Sequence, residues 1–377
     1  MKVPQFEPYL GQDEYEAIKP CFDTNWVTEG PKSKLFVKKI CEKIGVKYGV
    51  LAPNGTLALY LGLKAINIQE KDLIIVPNFT FIASATAIQM AGGIPVFFDI
   101  ENDNLQLNVD PNDEKQLEIG QKCQYIMPVH LYGFTPNMEN VEKFAKKCNL
   151  TIIEDACQGF GVKWRGKPCG SFGKVSCFSF FADKTITTGG EGGFVGTNDE
   201  ETYEKLQYLR NQGRLNRGSF IHPQIGYNFR MTDIQSAIGL KQLEKMDEIV
   251  SKKLHIFNLY KELLKDIDNI ALYTPNEDIT SFVPFRVVMK VVNEVDSIHL
   301  MKFMQDRNIE PRTFFYPLDE QPAFDGLITW TQEQFNIDLQ NTKQAYQTGV
   351  CLPSFPALTD EQVKYVCEII KSYYMKN

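Results

Sequence analysis

The first two-thirds of the chain alternate short apolar runs with stretches of helical period, and that alternation constrains the fold more than any other feature. Apolar runs at 48–52, 73–77, 95–99, 125–129 and 150–155 read as strands, each too short to be a helix of average length. Helical patterns at 57–65, 83–91 and 138–148 lie between them. Strands alternating with helices predict a mainly parallel sheet covered on both faces, hence the α/β class. The segment 175–181 alternates like a strand, and 193–197 is its expected partner.

The pattern then changes. Thr232 and Gln235 have capping-box spacing, and a long helical pattern follows to about residue 267. Beyond it a strand is expected at 282–292, a helix at 297–307 and a strand at 311–315, with a last helix opened by Thr359 and Gln362. This predicts a large domain over residues 1–250 and a smaller α+β domain over 251–377.

Of the 377 residues, 43% are hydrophobic and 23% charged, which excludes a disordered chain. A net charge of −7 argues against non-specific nucleic-acid binding. The nine cysteines include no C-x-x-C pair, so neither a disulfide framework nor a thiolate zinc site is expected. They read as small core residues of a cytoplasmic protein. The N-terminal residues lack an apolar core, which predicts no signal peptide. Residues 73–98 carry no charge until the segment ends, yet Pro77, Asn78, Gln89, Gly92, Gly93 and Pro95 interrupt them. That segment reads as strand, helix and strand rather than a membrane span.

Several polar residues sit where strands end. Asn54-Gly55-Thr56 joins a strand to a helix, and the free N–H groups there suit an anion, although a plain helix cap reads the same way. Asp155 ends a buried strand, where an acid holds a cationic ring nitrogen, binds a metal or caps a helix. Lys184 follows an apolar strand and precedes a cluster of four glycines. Partial desolvation there favours a neutral, nucleophilic amine. Ser179 on the strand face, Asn228 and Arg230 before the long helix, and Tyr316 are further polar candidates, each equally readable as packing or loop polarity. His130 reads as a structural histidine. No H-E-x-x-H, G-x-S-x-G or Walker sequence is present, and no G-x-G-x-x-G follows the first strand, which disfavours a dinucleotide-binding oxidoreductase.

Taken in order, seven segments resemble the DegT/DnrJ/EryC1/StrS family of sugar aminotransferases. They are Asn54-Gly55-Thr56, Pro77-x-x-Thr80-Phe81, Val129-His130-Leu131-Tyr132-Gly133, Glu154-Asp155-Ala156-Cys157-Gln158, Ser179-Phe180-Phe181 leading to Lys184, Gly226-Tyr227-Asn228-Phe229-Arg230-Met231, and Leu352-Pro353-Ser354-Phe355-Pro356. The resemblance spans residues 5–370. It implies a homodimer of the aspartate-aminotransferase fold (fold type I), with pyridoxal 5′-phosphate as cofactor and an active site at the subunit interface.

By that resemblance Lys184 is the Schiff-base lysine and the general base and acid. Asp155 pairs with the pyridine nitrogen, a contact worth about 4 kcal/mol at ~4 Å and an effective dielectric near 20. Gln158 bonds the ring hydroxyl, Phe81 stacks on the ring, and Gly55, Thr56 and Ser179 hold the phosphate. Asn228 reaches the partner subunit's cofactor, while Arg230 and Tyr316 contact substrate. The implied amino donor is L-glutamate and the acceptor a nucleotide-linked keto sugar. Relatives with His in place of the lysine are 3-dehydratases, and Lys184 argues against that chemistry. The family's Thr-Thr-Gly-Glu-Gly-Gly is interrupted here, since Gly189-Gly190-Glu191 holds an extra glycine. Lys184-Thr185-Ile186-Thr187-Thr188, Phe315-Tyr316-Pro317 and residues 352–370 look most like the branch that aminates C4 of GDP-4-keto-6-deoxy-D-mannose for surface polysaccharides. UDP- and dTDP-linked keto sugars, a dehydratase and a non-catalytic cofactor-binding protein are the other readings.

Overall fold

In the computed structural model, which describes residues 1–214 and 220–375, the uninterrupted apolar runs become the interior of a seven-stranded sheet. Its strands are β1 (Tyr48–Ala52), β2 (Leu73–Pro77), β3 (Ile94–Phe98), β4 (Tyr125–Ile126), β5 (Thr151–Asp155), β8 (Val175–Ser179) and β9 (Gly193–Thr197). Two short strands, β6 (Lys163–Trp164) and β7 (Lys167–Pro168), intervene in sequence and form a hairpin outside that sheet. The spatial order is β1-β9-β8-β5-β4-β2-β3. Only β9 runs against the other strands, pairing antiparallel with both β1 and β8. The carboxyl ends of the other six therefore share one edge, where ligands bind in open α/β sheets.

Helices cover both faces. Helix Gly55–Ala65 begins where Asn54 accepts the Leu57 N–H at 2.9 Å, and seven of its residues are buried. Residues 73–98 form β2, helix Ala83–Ala91 and β3. Among the described residues no helix is long and apolar enough to cross a membrane. All nine cysteines are free thiols.

The expected long helix is two helices, Asp233–Glu244 and Met246–Leu264, joined through Lys245. The predicted Thr232–Gln235 capping box is present at its start. Lys245 leaves helical geometry (φ −92°, ψ 4°), and its ammonium pairs with the buried Glu14 carboxylate at 2.6 Å.

A second sheet follows, built from β10 (Ile270–Leu272), β12 (Val287–Val291), β13 (Arg312–Thr313) and β14 (Gly349–Leu352) in the order β10-β12-β14-β13, all antiparallel. The intervening β11 (Ile279–Ser281) joins β6 and β7 instead. The strand expected at 282–292 is confined to 287–291, because Pro284 has no N–H to give a ladder and Phe285 bonds back to Tyr132 O. The expected helix at 297–307 runs over Glu294–Gln305. The N-terminal segment packs on this later part of the chain: Val3 bridges Ile309, and Gln5 donates to Leu352 O at 3.2 Å. One apolar cluster passes from Ile75 and Val96 on the large sheet to Val288 and Cys351 on the second, so the two sheets share a core.

Candidate active site

A cavity of about 420 Å³ opens at the carboxyl edge of the large sheet. Its wall brings together Asn54, Gly55 and Thr56 after β1, Thr80 and Phe81 after β2, and Asp155, Cys157 and Gln158 from β5 onward. Ser179 at the end of β8 and Lys184 complete that side, while Arg286, Arg312 and Phe315 come from the later part of the chain. Seven of the residues singled out in the sequence as catalytic or cofactor-binding therefore meet in one place: Gly55, Thr56, Phe81, Asp155, Gln158, Ser179 and Lys184.

At one end the first turn of helix Gly55–Ala65 faces the cavity. The Asn54 side chain is spent on Leu57, so the N–H groups of Gly55 and Thr56 remain for a ligand, with the helix dipole favouring an anion. Glycine is required there by space. A Cβ on Gly55 would lie 2.8 Å from Ser179 Cβ and 3.0 Å from Cys157 Sγ. The Ser179 hydroxyl adds a second polar group to this end and accepts the Phe181 N–H at 3.3 Å.

Asp155 is 4% exposed, and both its oxygens are engaged. Ser84 Oγ donates to Oδ2 at 2.7 Å and the Cys157 N–H to Oδ1 at 3.1 Å. Burial, and then the Asp155 charge, push the Cys157 thiol well up, so it stays neutral and is no nucleophile. Gln158 uses its carbonyl oxygen to accept the Tyr132 N–H at 2.8 Å, which leaves its amide N–H groups to donate. Phe81 is 56% exposed and meets Phe315 edge-on, with ring centroids 6.1 Å apart. Such an open aromatic face at a cavity mouth suits a flat ring.

Lys184 keeps 15% of its side chain exposed, and its Nζ lies 3.3 Å from Asp183 Oδ1 and 4.5 Å from the centre of the Phe285 ring. The extra glycine is absorbed in the adjoining turn. Gly190 takes φ 136°, bridges Phe181, and its carbonyl accepts the Ala182 N–H at 3.1 Å.

Three candidates lie outside the cavity wall. Asn228 is exposed and accepts a hydrogen bond from Arg230 Nε at 3.1 Å, while Tyr316 packs edge-on against Tyr346. His130 is fully buried and bonded to Glu154 at 2.9 Å. Glu154 also accepts the N–H groups of Gly170, Phe172 and Gly173, so this pair fixes the loop before β8. Sequence reasoning missed Ser84 and Arg286. Ser84 lies in the first turn of the helix that follows Thr80, and the two hydroxyls meet at 3.3 Å. Arg286 sits in no motif.

A profile of the DegT/DnrJ/EryC1/StrS aminotransferase family matches residues 8–371. The chain belongs to that family. This sugar aminotransferase is 37% identical to a GDP-perosamine synthase of Escherichia coli O157:H7 over 374 residues, covering 99% of this chain and 98% of the relative. A GDP-perosamine synthase of Vibrio cholerae is 35% identical over 373 residues, covering 99% of both. Among solved structures, Helicobacter pylori PseC, an aminotransferase involved in the biosynthesis of pseudoaminic acid, superposes with a TM-score of 0.90 at 26% identity over the whole of both chains. The aminotransferase thus has the fold-type-I architecture implied by its motifs.

Aminotransferases of this family depend on pyridoxal 5′-phosphate. The cavity of this aminotransferase has the chemistry such a group needs: a helix start whose glycine admits no Cβ, a fixed buried carboxylate, and an amine on the same wall.

Proposed function

We propose that this sugar aminotransferase moves the amino group of L-glutamate to C4 of GDP-4-keto-6-deoxy-D-mannose, making GDP-perosamine for a surface polysaccharide. The observation that carries this reading is the near-complete coverage, at 35–37% identity, of two GDP-perosamine synthases.

Pyridoxal 5′-phosphate, when bound, supplies an electron sink that no side chain provides. Gly55, Thr56 and Ser179 hold its phosphate, Asp155 its ring nitrogen and Gln158 its ring hydroxyl, and Phe81 covers one face. Lys184 is the reacting amine. Its Nζ takes a proton from Cα of the amino donor, and in the sugar half-reaction it delivers a proton to the carbon that gains nitrogen. Phe285 and Phe315 give that proton an apolar surround.

The working unit in this reading is a homodimer. Asn228 lies outside its own protomer's cavity and serves the partner's, and Arg230 and Tyr316 meet the sugar nucleotide at the rim. The chain divides into a cofactor-binding part at 1–250 and a smaller part at 251–377. The large sheet ends at Thr197 and the second begins at Ile270, which supports that division.

The test is the absorption spectrum of the purified protein with pyridoxal phosphate, followed by L-glutamate and then each keto sugar. The expected result is a band near the visible edge that glutamate removes and the GDP-linked sugar restores. Restoration by a UDP- or dTDP-linked sugar alone would move the substrate assignment. A deoxy sugar with no stable amine would indicate a dehydratase, and no cofactor uptake would sink the enzyme reading.

A further inference from the structure

Asp183 and Arg286 pair at 2.6 Å, with side chains 9% and 8% exposed. Arg286 Nη2 occupies Oδ2 of that carboxylate. Its Oδ1 is buried, makes no hydrogen bond among the described residues, and faces Lys184 Nζ at 3.3 Å. Lys253, buried on helix Met246–Leu264, lines a small outer hollow with Asp183, Lys184 and Arg286, its Nζ 3.3 Å from both Pro284 O and Phe285 O. Lys184, Arg286 and Lys253 all lie over the Phe285 ring, at 4.5, 4.9 and 6.0 Å from its centre. Three cationic side chains thus gather around one aromatic ring and one carboxylate. A buried cation without a counter-charge is expensive, so this wall depends on Asp183.

We propose that Asp183 is a positioning residue for Lys184: anchored by Arg286, its carboxylate holds the free Lys184 amine at the cavity wall and sets how readily that amine keeps a proton. This rests on the reading of Lys184 as the reacting amine. A carboxylate able to rotate would turn its free oxygen toward water. Arg286 prevents that and leaves Oδ1 as an acceptor beside Nζ. When Lys184 takes up a proton, the acceptor is already in place, so little reorganisation is needed. Arg286 and Lys253 act in the opposite sense, since each adds positive charge nearby. Burial first, and then the Arg286 charge, push Lys253 down to about 8. On the cavity side Asp155, Cys157, Glu191 and Arg312 share the wall with Lys184, and Tyr132 and Cys351 feel the Arg286 charge. On the outer side Glu7 and Tyr9 line the same small hollow as Asp183.

The test is competitive acetylation of Lys184 by trace acetic anhydride in the full-length, cofactor-free chain, read by mass spectrometry between about pH 6 and 11. Asp183→Asn is expected to lower the pH midpoint by about one unit, a tenfold gain in reactivity below the midpoint. Lys253→Met, which removes a nearby positive charge and leaves the Arg286 anchor in place, is expected to raise it. Shifts of opposite sign cannot come from general loosening of the fold, which would move both variants the same way. If Asp183→Asn does not fold, the double variant Asp183→Asn/Arg286→Gln decides, with a midpoint below that of Arg286→Gln alone. Unmoved midpoints in folded variants, or shifts in one direction, overturn the proposal. Borohydride trapping of pyridoxal phosphate on wild-type Lys184 tests the underlying reading separately. Trapping without a midpoint shift overturns only the role of Asp183, whereas no trapping overturns both.

Discussion

Ser84 donates its hydroxyl proton to Asp155 Oδ2 at 2.7 Å across 71 residues of sequence. Ser84 lies in the first turn of helix Ala83–Ala91, so the positive end of that helix also faces the carboxylate. A hydrogen bond to a charged group is worth roughly 1.5–3 kcal/mol. Ser84→Ala should therefore lower kcat/KM about tenfold or more, with Ser84→Thr recovering most of the loss. Steady-state kinetics of the two variants, with a thermal melt to exclude unfolding, checks this.

Removing the reacting amine has a larger effect. Lys184→Ala should lower turnover by on the order of 10²–10⁴-fold, the range for a general acid–base group. The Asp183–Arg286 pair does not include Lys184, so the fold should persist. Release of 2-oxoglutarate from L-glutamate measures the first, and far-ultraviolet circular dichroism the second. A variant with wild-type turnover would remove Lys184 from the mechanism.

Gly55→Ala tests the anion cradle without touching a charge. Its Cβ would lie 2.8 Å from Ser179 Cβ, so one of the two must move. A thermal melt of the variant reports what that displacement costs the fold. Cofactor affinity should fall about tenfold or more, equivalent to about 1.4 kcal/mol. Titration of the cofactor-free variant with pyridoxal phosphate, followed by absorbance, reads this directly. An affinity within about twofold of wild type would place the phosphate elsewhere.

Lys253 gives the fold a defined pH dependence. Burial, reinforced by Arg286, lowers it to about 8, whereas an unfolded lysine titrates near ~10.4. Below about pH 8 the folded protein carries the full cost of a buried ammonium. Between those two values the unfolded chain binds more protons, so stability rises with pH. Lys253→Met lacks that gain. Comparing urea denaturation at about pH 7 and 10, wild type should improve on the variant by up to about 3 kcal/mol at the higher pH. An equal difference at both pH values would show that Lys253 does not titrate in this window.

Most of the large sheet was legible because buried parallel strands are written as continuous apolar runs between turn residues, as in 73–77 and 151–155. The break at Lys245 was not, since Leu243, Met246 and Val250 keep a three-to-four spacing straight through it. The break coincides with a tertiary contact that no local spacing announces, the ion pair of Lys245 with Glu14. The short strands β6, β7 and β11 carry too few residues for a period to show. At the site, residues that end strands stood out, and the fold gathers them at one edge. Arg286 and Lys253 did not, because their placement depends on how the second sheet packs over the first. Asn228, Arg230 and Tyr316 were legible only through the family's motifs, and a single protomer leaves them outside the cavity.

The bridge between Val3 and Ile309 also has a consequence in time. Val3 is completely buried, and its backbone pairs with Asn308 and Glu310 at 2.9 Å each. Those partners leave the ribosome about 300 residues after Val3 does. At ~5–20 residues per second, that is a wait of roughly 15–60 s. For that interval the large sheet can assemble while Val3 stays unpaired. Val3 therefore cannot take its final place before residues 308–310 have been made.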